Sequence, residues 1–344
     1  MTQHPARAGF AAPATLDEVA ALAGVSRATV SRVLNDSPSV SRKARGRVER
    51  AIAELGYVPN RAARSLRTRR TELIALVFYE PESRVTTDPV LGGMIRGIGN
   101  ALASTQFQPV LLMISNQAQH DRVERYLLGG DVDGALLVSM HGDDSLPHTL
   151  VKAGVPAVLS GRPMGPTTIG YVGADNRGGA REAVAYLVGR GRRRIATIAG
   201  PREMCAGVDR FDGYHDALRA AGRAVDEALI EAGDFTDEGG ERAMRRLLAR
   251  GAAPDAVFAA NDLMAVGALR ALKAAGLRVP EDVALVGFDD SETARHCDPQ
   301  LTTVHQPIEE QGRQMVQRLL AVIAGDTAGV GIILDTELVI RQSA

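Results

Sequence analysis

The sequence predicts a small all-helical unit followed by a larger α/β core built on parallel sheets, and three observations carry that prediction. Apolar residues recur at helical spacing over residues 15–56, in short runs bounded by capping residues and glycines. From residue 72 onward, compact runs of Val, Ile, Leu and Ala alternate with longer amphipathic stretches, the pattern of strands covered on both faces by helices. The charge changes at the same place. Of 344 residues with a formal charge of −1, residues 1–70 contain 13 Arg or Lys against 5 acids, so a segment of +8 precedes a remainder of −9.

Residues 1–14 are Ala-, Pro- and Gly-rich and aperiodic, and read as a flexible arm. Thr15 is then an N-cap with Glu18 three residues on, and Leu16, Val19, Ala20 and Ala23 share one helical face until Gly24 breaks the run. Ser26 caps a second helix reaching Leu34, with Val30, Val33 and Leu34 inward. The Asn35-Asp36-Ser37-Pro38 turn follows, and Ser41 opens a third helix whose Val48, Ile52 and Leu55 can face the first two; Gly56 ends it. Tyr57-Val58-Pro59-Asn60 is an extended link, and Asn60 can cap one more short helix, Arg61 to Leu66, ahead of Arg67-Thr68-Arg69-Arg70. In the core, strands are expected at 72–79, 108–115, 133–138, 156–160, 194–200, 256–261 and 283–290, with a last one over Leu338–Arg341. One large sheet or two similar sheets side by side both suit this length.

Two short helices joined at Ala23-Gly24-Val25, with a third behind them, match a helix-turn-helix. Arg27, Ala28, Thr29, Ser31 and Arg32 are left facing outward on the second helix. Arg27 and Ala28 lie in its first turn, where an arginine can bond guanine O6 and N7 and an alanine can touch a thymine methyl. Thr29, Ser31 and Arg32 suit phosphates. The plainer alternative is a structural three-helix cap with a solvated arginine face, and the local charge of +8 argues against it.

The motifs Thr15-Leu16-Asp17-Glu18-Val19-Ala20, Ala23-Gly24-Val25-Ser26, Thr29-Val30-Ser31-Arg32-Val33-Leu34-Asn35 and Gly56-Tyr57-Val58-Pro59-Asn60 together resemble the headpiece of the LacI/GalR family of bacterial transcription repressors. The resemblance continues almost to the C-terminus. It implies a homodimer whose headpieces, residues 15–59, read half-sites of a pseudo-palindromic operator through Thr15, Ser26, Arg27, Ala28, Thr29, Ser31, Arg32, Asn35, Tyr57, Asn60, Arg61, Ala63 and Leu66. Residues 60–70 become a hinge helix and linker, with Leu66 inserted between central base pairs; Ala62 and Ala63 permit close approach, and so short a helix is marginal alone. Residues 71–344 become a periplasmic-binding-protein-like core of two doubly wound parallel-sheet subdomains, the first about 71–173 and 304–332, the second about 174–303 and 333–344. The chain stops just after the Leu338–Arg341 strand, without the leucine-heptad helix of lactose-repressor tetramers, which favours a dimer.

Ligands of open α/β sheets sit beyond the carboxyl ends of strands. Four such ends carry candidate groups: Ser139, Gly161-Arg162, Asn261-Asp262 and Asp289-Asp290. Arg210 stands at a helix start, and Phe235 can supply an aromatic face. A neutral polyol needs such a set: carboxylate and amide for paired hydroxyls, a forked guanidinium, and a ring to stack on. Arg210 falls in the family's Arg-x-x-Gly-Tyr signature, Asn261-Asp262 in Ala-Asn-Asp-x-Met-Ala and Asp289-Asp290 in Val-Gly-Phe-Asp-Asp. By resemblance these match ligand-contacting residues of sugar-responsive members. Helix capping is the competing role, most of all for Asp262 and Asp290. Gly161-Arg162-Pro163 stands where some relatives carry an acid, and Asp88-Pro89-Val90-Leu91 where others carry aromatics. Glycan-utilisation repressors look nearest, so the expected effector is a small sugar or oligosaccharide, of the cellobiose-like β-disaccharide kind.

Other chemistry finds no pattern. Gly200 to Gly207 lacks the Lys-Ser/Thr of a phosphate loop, Asp289-Asp290 are adjacent on one strand end and do not flank a bond, and the 7 histidines have no ligand spacing. No catalytic residue, cofactor or metal is expected. Two cysteines, no leader-like apolar segment and no run of eighteen apolar residues point to a cytoplasmic protein without a membrane partner. The alternatives are a transporter's solute-binding protein, an architectural DNA protein, or a regulator answering a non-sugar effector or a corepressor.

Overall fold

The computed structural model describes residues 14–34, 36–58, 70–142, 144–165, 168–326 and 331–344. The expected arm up to residue 13, Asn35, and the hinge segment with Asn60, Arg61, Ala63 and Leu66 lie outside the described residues. The chain divides into two units, Met1–Thr71 and Glu72–Ala344.

In the first unit, α1 (Leu16–Ala23), α2 (Arg27–Leu34) and α3 (Arg42–Leu55) form a three-helix cluster. Thr15 and Glu18 close a reciprocal capping box on α1, and Gly24 and Gly56 end α1 and α3 with φ of 61° and 58°, where a side chain would be strained. Val19, Val30 and Val48, one from each helix, are completely buried and form the centre of this small core.

The second unit contains two six-stranded sheets. The first runs, in spatial order, β11 (Gly331–Leu334), β5 (Gly170–Ala174), β4 (Ala157–Ser160), β3 (Gly134–Val138), β1 (Leu73–Phe78) and β2 (Gln108–Met113), with every pair parallel. The second runs β12 (Glu337–Val339), β10 (Thr302–His305), β9 (Ala284–Asp289), β8 (Ala256–Ala259), β6 (Ile195–Ala199) and β7 (Ile230–Ala232), parallel except for the β12 edge. The structure thus has two sheets, not one. The strands β5, β7, β10 and β11 were not among those expected from the sequence, and the last strand falls at Glu337–Val339, ahead of the Leu338–Arg341 reading.

Each sheet is covered on both faces, as buried parallel strands require. On the first, α5 (Pro89–Ala103) and α13 (Ile308–Ile323) enclose one core, and α6 (Gln117–Leu128) and α7 (Leu146–Ala153) the other. On the second, α10 (Asp237–Ala249) and α11 (Asp262–Ala274) lie on one face, and α8 (Asn176–Gly189) and α9 (Cys205–Ala220) on the other. The short helices α4 (Glu82–Thr87) and α12 (Glu292–His296) follow β1 and β9. A Cβ on Gly97 of α5 would sit 2.2 Å from the Glu309 carbonyl oxygen, so the α5–α13 contact depends on glycine there.

The chain passes between the sheets three times: from β5 to α8, from β10 to α13, and from β11 to β12. Because β10 belongs to the second sheet through His305, the re-entry expected near 304 comes one or two residues later. The carboxyl ends of strands from both sheets face a shared cleft.

Candidate functional site

In the helical unit, α2 buries Val30 and Val33 and leaves Ser26, Arg27, Ala28 and Arg32 exposed, with Thr29 and Ser31 half-buried. This is the face expected to meet DNA. Ser26 Oγ accepts the Thr29 amide at 3.2 Å and shares a hydrogen bond with the Thr29 hydroxyl at 2.9 Å, so both side chains also organise the start of the helix. Arg27 lies 3.6 Å from Asp17, with 72% of its side chain exposed, free to exchange that partner for a base edge. The Thr15 hydroxyl and amide are both engaged with Glu18 in the α1 cap, although the residue itself is exposed, and Tyr57 is buried in the helical core that also contains Val48 and Ala51.

The cleft of the second unit encloses a cavity of about 330 Å³, at the lower end of small-molecule sites. All seven residues chosen from the sequence line it: Ser139, Gly161 and Arg162 from the first subdomain, and Arg210, Phe235, Asn261 and Asp289 from the second. At its floor, Arg210 is nearly enclosed. Its Nε donates to Asn176 Oδ1 at 2.8 Å and its Nη1 to the Ala260 carbonyl at 2.6 Å, while Asp289 Oδ1 lies 3.2 Å from Nη1 and accepts from Gln306 Nε2 at 3.1 Å. Burial pushes the Asp289 carboxyl well up, against the pull of Arg210, and pushes the Arg210 guanidinium down, against the pull of Asp289. The two charges offset one another, and their remaining lone pairs and N–H groups suit hydroxyls more than a charged ligand.

Backbone strain gathers around this cavity. Ser139, Phe235 and Asp289 have φ of 57°, 62° and 112°, values that cost energy in any residue but glycine and that collect at functional sites. Phe235 is held in place from two sides: Asn261 Nδ2 donates to its carbonyl at 3.0 Å, and a Cβ on Gly200 would meet its Cζ at 2.4 Å. Gly200 and Gly207 are therefore glycines for packing, since a Cβ on Gly207 would lie 2.0 Å from the Pro201 carbonyl oxygen. The ring stands 5.8 Å from the Arg210 guanidinium and 5.9 Å from that of Arg84.

The competing capping roles are visible too. Asn261 Oδ1 caps α11 by accepting the Met264 amide at 2.9 Å, so it both caps and lines the cavity. Asp262 is fully buried away from the cavity, accepting from Thr303 Oγ1 and the Ser291 amide, and burial raises its pKa to about 7. Asp290 is held by Arg295, Arg341 and His305. Arg162 donates to Asp209 and to the Pro163 carbonyl, which leaves it fewer donors for a ligand than the sequence suggests. Sequence reasoning missed Arg84, Asp88, Asn176 and Gln306, which also line the cavity. Asn176 and Gln306 follow β5 and β10, so the signal that would have found them was the strand end.

Two family models match the chain: "Bacterial regulatory proteins, lacI family" over residues 15–60 and "Periplasmic binding protein-like domain" over 184–344. The HTH-type transcriptional regulator CelR of Thermobifida fusca is 52% identical over 332 residues, covering 96% of this chain and 98% of CelR. The chain belongs to the LacI family. It is a DNA-binding transcriptional repressor by family, not an enzyme. The repressor CytR of Escherichia coli (strain K12) is 37% identical over 338 residues, 96% of each chain. Among solved structures, a CelR–cellobiose complex matches with a TM-score of 0.78 and 50% identity, covering 96% of this chain and 100% of that one. The lac repressor dimer bound to operator and the anti-inducer ONPF matches with a TM-score of 0.88 and 30% identity, covering 96% and 99%. Among the described residues, no helix is long and apolar enough to cross a membrane, and no cluster of side chains fits a metal ion.

Proposed function

We propose that this chain is a homodimeric, sugar-responsive repressor of carbohydrate-utilisation genes, released from a pseudo-palindromic operator by a cellobiose-like disaccharide. The observation that carries the reading is the cavity in which strand ends from both subdomains place Ser139, Arg162, Arg210, Phe235, Asn261 and Asp289 around one volume. A buried, internally neutralised ion pair beside an aromatic ring suits a neutral polyol. The relative crystallised with cellobiose supports the choice of sugar.

On DNA, Arg27 and Ala28 read base edges from the first turn of α2, Ser26, Thr29, Ser31 and Arg32 meet phosphates, and the hinge segment adds Asn60, Arg61, Ala63 and the Leu66 wedge. The protein works in the cytoplasm, at the nucleoid. The sugar acts only through its different affinities for the DNA-bound and free conformations. Closure of the subdomains on it would displace the hinge segments and release DNA.

The deciding experiment is a gel shift on DNA upstream of neighbouring genes, challenged with a panel of mono- and disaccharides. Cellobiose should dissolve the complex at concentrations where glucose and maltose leave it intact. A complex that only purines, phosphosugars or no small molecule at all disturb would overturn the effector reading.

A further inference from the structure

Among the described residues, an ion pair and a backbone hydrogen bond join the subdomains across the cleft, away from the crossovers of the hinge. Arg162, on the loop after β4, directs Nε at both carboxylate oxygens of Asp209 at 3.0 Å and adds Nη2 to Oδ1. Asp209 stands on α9 in the other subdomain. On the loop after β3, the Gly142 amide donates to the Glu203 carbonyl, in the loop ahead of α9, at 2.7 Å. The Arg162 and Asp209 side chains are 37% and 17% exposed, so their forked pair is screened less than one on open surface. The fit behind them is tight: Gly161 has φ of 86°, and a Cβ there would lie 2.7 Å from Cys205 Sγ.

Arg162 lines the cavity, whereas Asp209 does not. Of the five N–H groups of Arg162, three go to Asp209 and Pro163 among the described residues, and two are not committed to either. Movement of one subdomain away from the other must break both the ion pair and the Gly142 bond.

We infer that Asp209 is a positioning residue of the effector site, which through Arg162 latches the two subdomains together and aims the remaining guanidinium donors at the ligand. The inference rests on the reading of the cleft as the effector site, and it places part of the closing energy in the protein itself. The latch strengthens sugar retention and loses force as salt rises.

The test compares the full-length chain with Asp209→Asn, Arg162→Gln and the charge exchange Arg162→Asp with Asp209→Arg. Amide hydrogen exchange at the Gly142 loop reports opening without any sugar, and calorimetry with cellobiose reports retention. Either single change should speed exchange at that loop severalfold and weaken cellobiose binding about tenfold, with the salt dependence of binding reduced. The charge exchange should restore slow amide exchange at the Gly142 loop, which a general disturbance of α9 would not do, while cellobiose binding stays weak because the charge exchange takes the guanidinium donors away from the cavity. Unchanged exchange at the Gly142 loop in Asp209→Asn, or a rise that the charge exchange leaves in place, overturns the latch. If the parent chain binds no cellobiose, the effector reading fails, while the exchange comparison still decides the latch.

Discussion

Arg210 Nη1 lies 3.2 Å from Asp289 Oδ1, with 4% and 6% of the two side chains exposed. Arg210→Ala should therefore do more than abolish the sugar response: it leaves Asp289 buried without its counter-charge, which costs about 3–5 kcal/mol. Adding Asp289→Ala to that variant should recover much of the stability and none of the response. Thermal melts beside sugar-challenged gel shifts measure both, and a single variant that still releases operator at the parent's sugar concentration would remove Arg210 from the site.

Burial holds Asp262 protonated up to a pKa of about 7, far above an ordinary carboxyl. The folded state then binds a proton that the unfolded chain has released, so this group's stabilisation is fully present at low pH and is lost as pH rises through about 7. Asp262→Asn should flatten the pH dependence of the melting temperature between about pH 4 and 7. An identical slope in the variant would show that another group carries it.

Gly200→Ala places a methyl against the Phe235 ring, where a Cβ would stand 2.4 Å from Cζ. Overpacking of this kind costs about 1–3 kcal/mol, and because the ring borders the cavity the sugar should bind more weakly as well. Calorimetry that finds parent-like affinity would mean that Phe235 does not stack on the ligand.

Arg27→Ala removes an exposed guanidinium in the first turn of α2 and should lower discrimination between operator bases by about tenfold or more. Arg32→Ala should instead weaken binding to all sequences alike and reduce the salt slope. Binding to a panel of single-base operator variants at several salt concentrations separates the two outcomes, and an unaltered base preference in Arg27→Ala would take Arg27 out of base readout.

Much of this was legible locally. Caps such as Thr15 with Glu18, the glycine stops at Gly24 and Gly56, and the apolar strand runs are short-range signals that act within one turn or one strand, so the helical unit and seven of the core strands could be read from the sequence. Missing strands had recognisable causes. The β5 strand contains two glycines, β10 buries Thr302 and Thr303 through bonds to Ser343 and Asp262, β11 is a half-exposed edge, and β7 has only three residues. Asn176 and Gln306 went unnoticed with them, since both stand just beyond those strands.

The sequence by itself determined the helix-turn-helix, the alternation of strands and helices, the family, and which polar groups stand at strand ends, because each depends on residues close together in the chain. Only the tertiary structure decided which of those groups share a cavity, that Tyr57 turns inward, that Asp262 is a buried support, and that Arg162 meets Asp209, 47 positions away. These are matters of long-range pairing, where one side chain's partner is set by how two sheets pack and not by its neighbours in sequence.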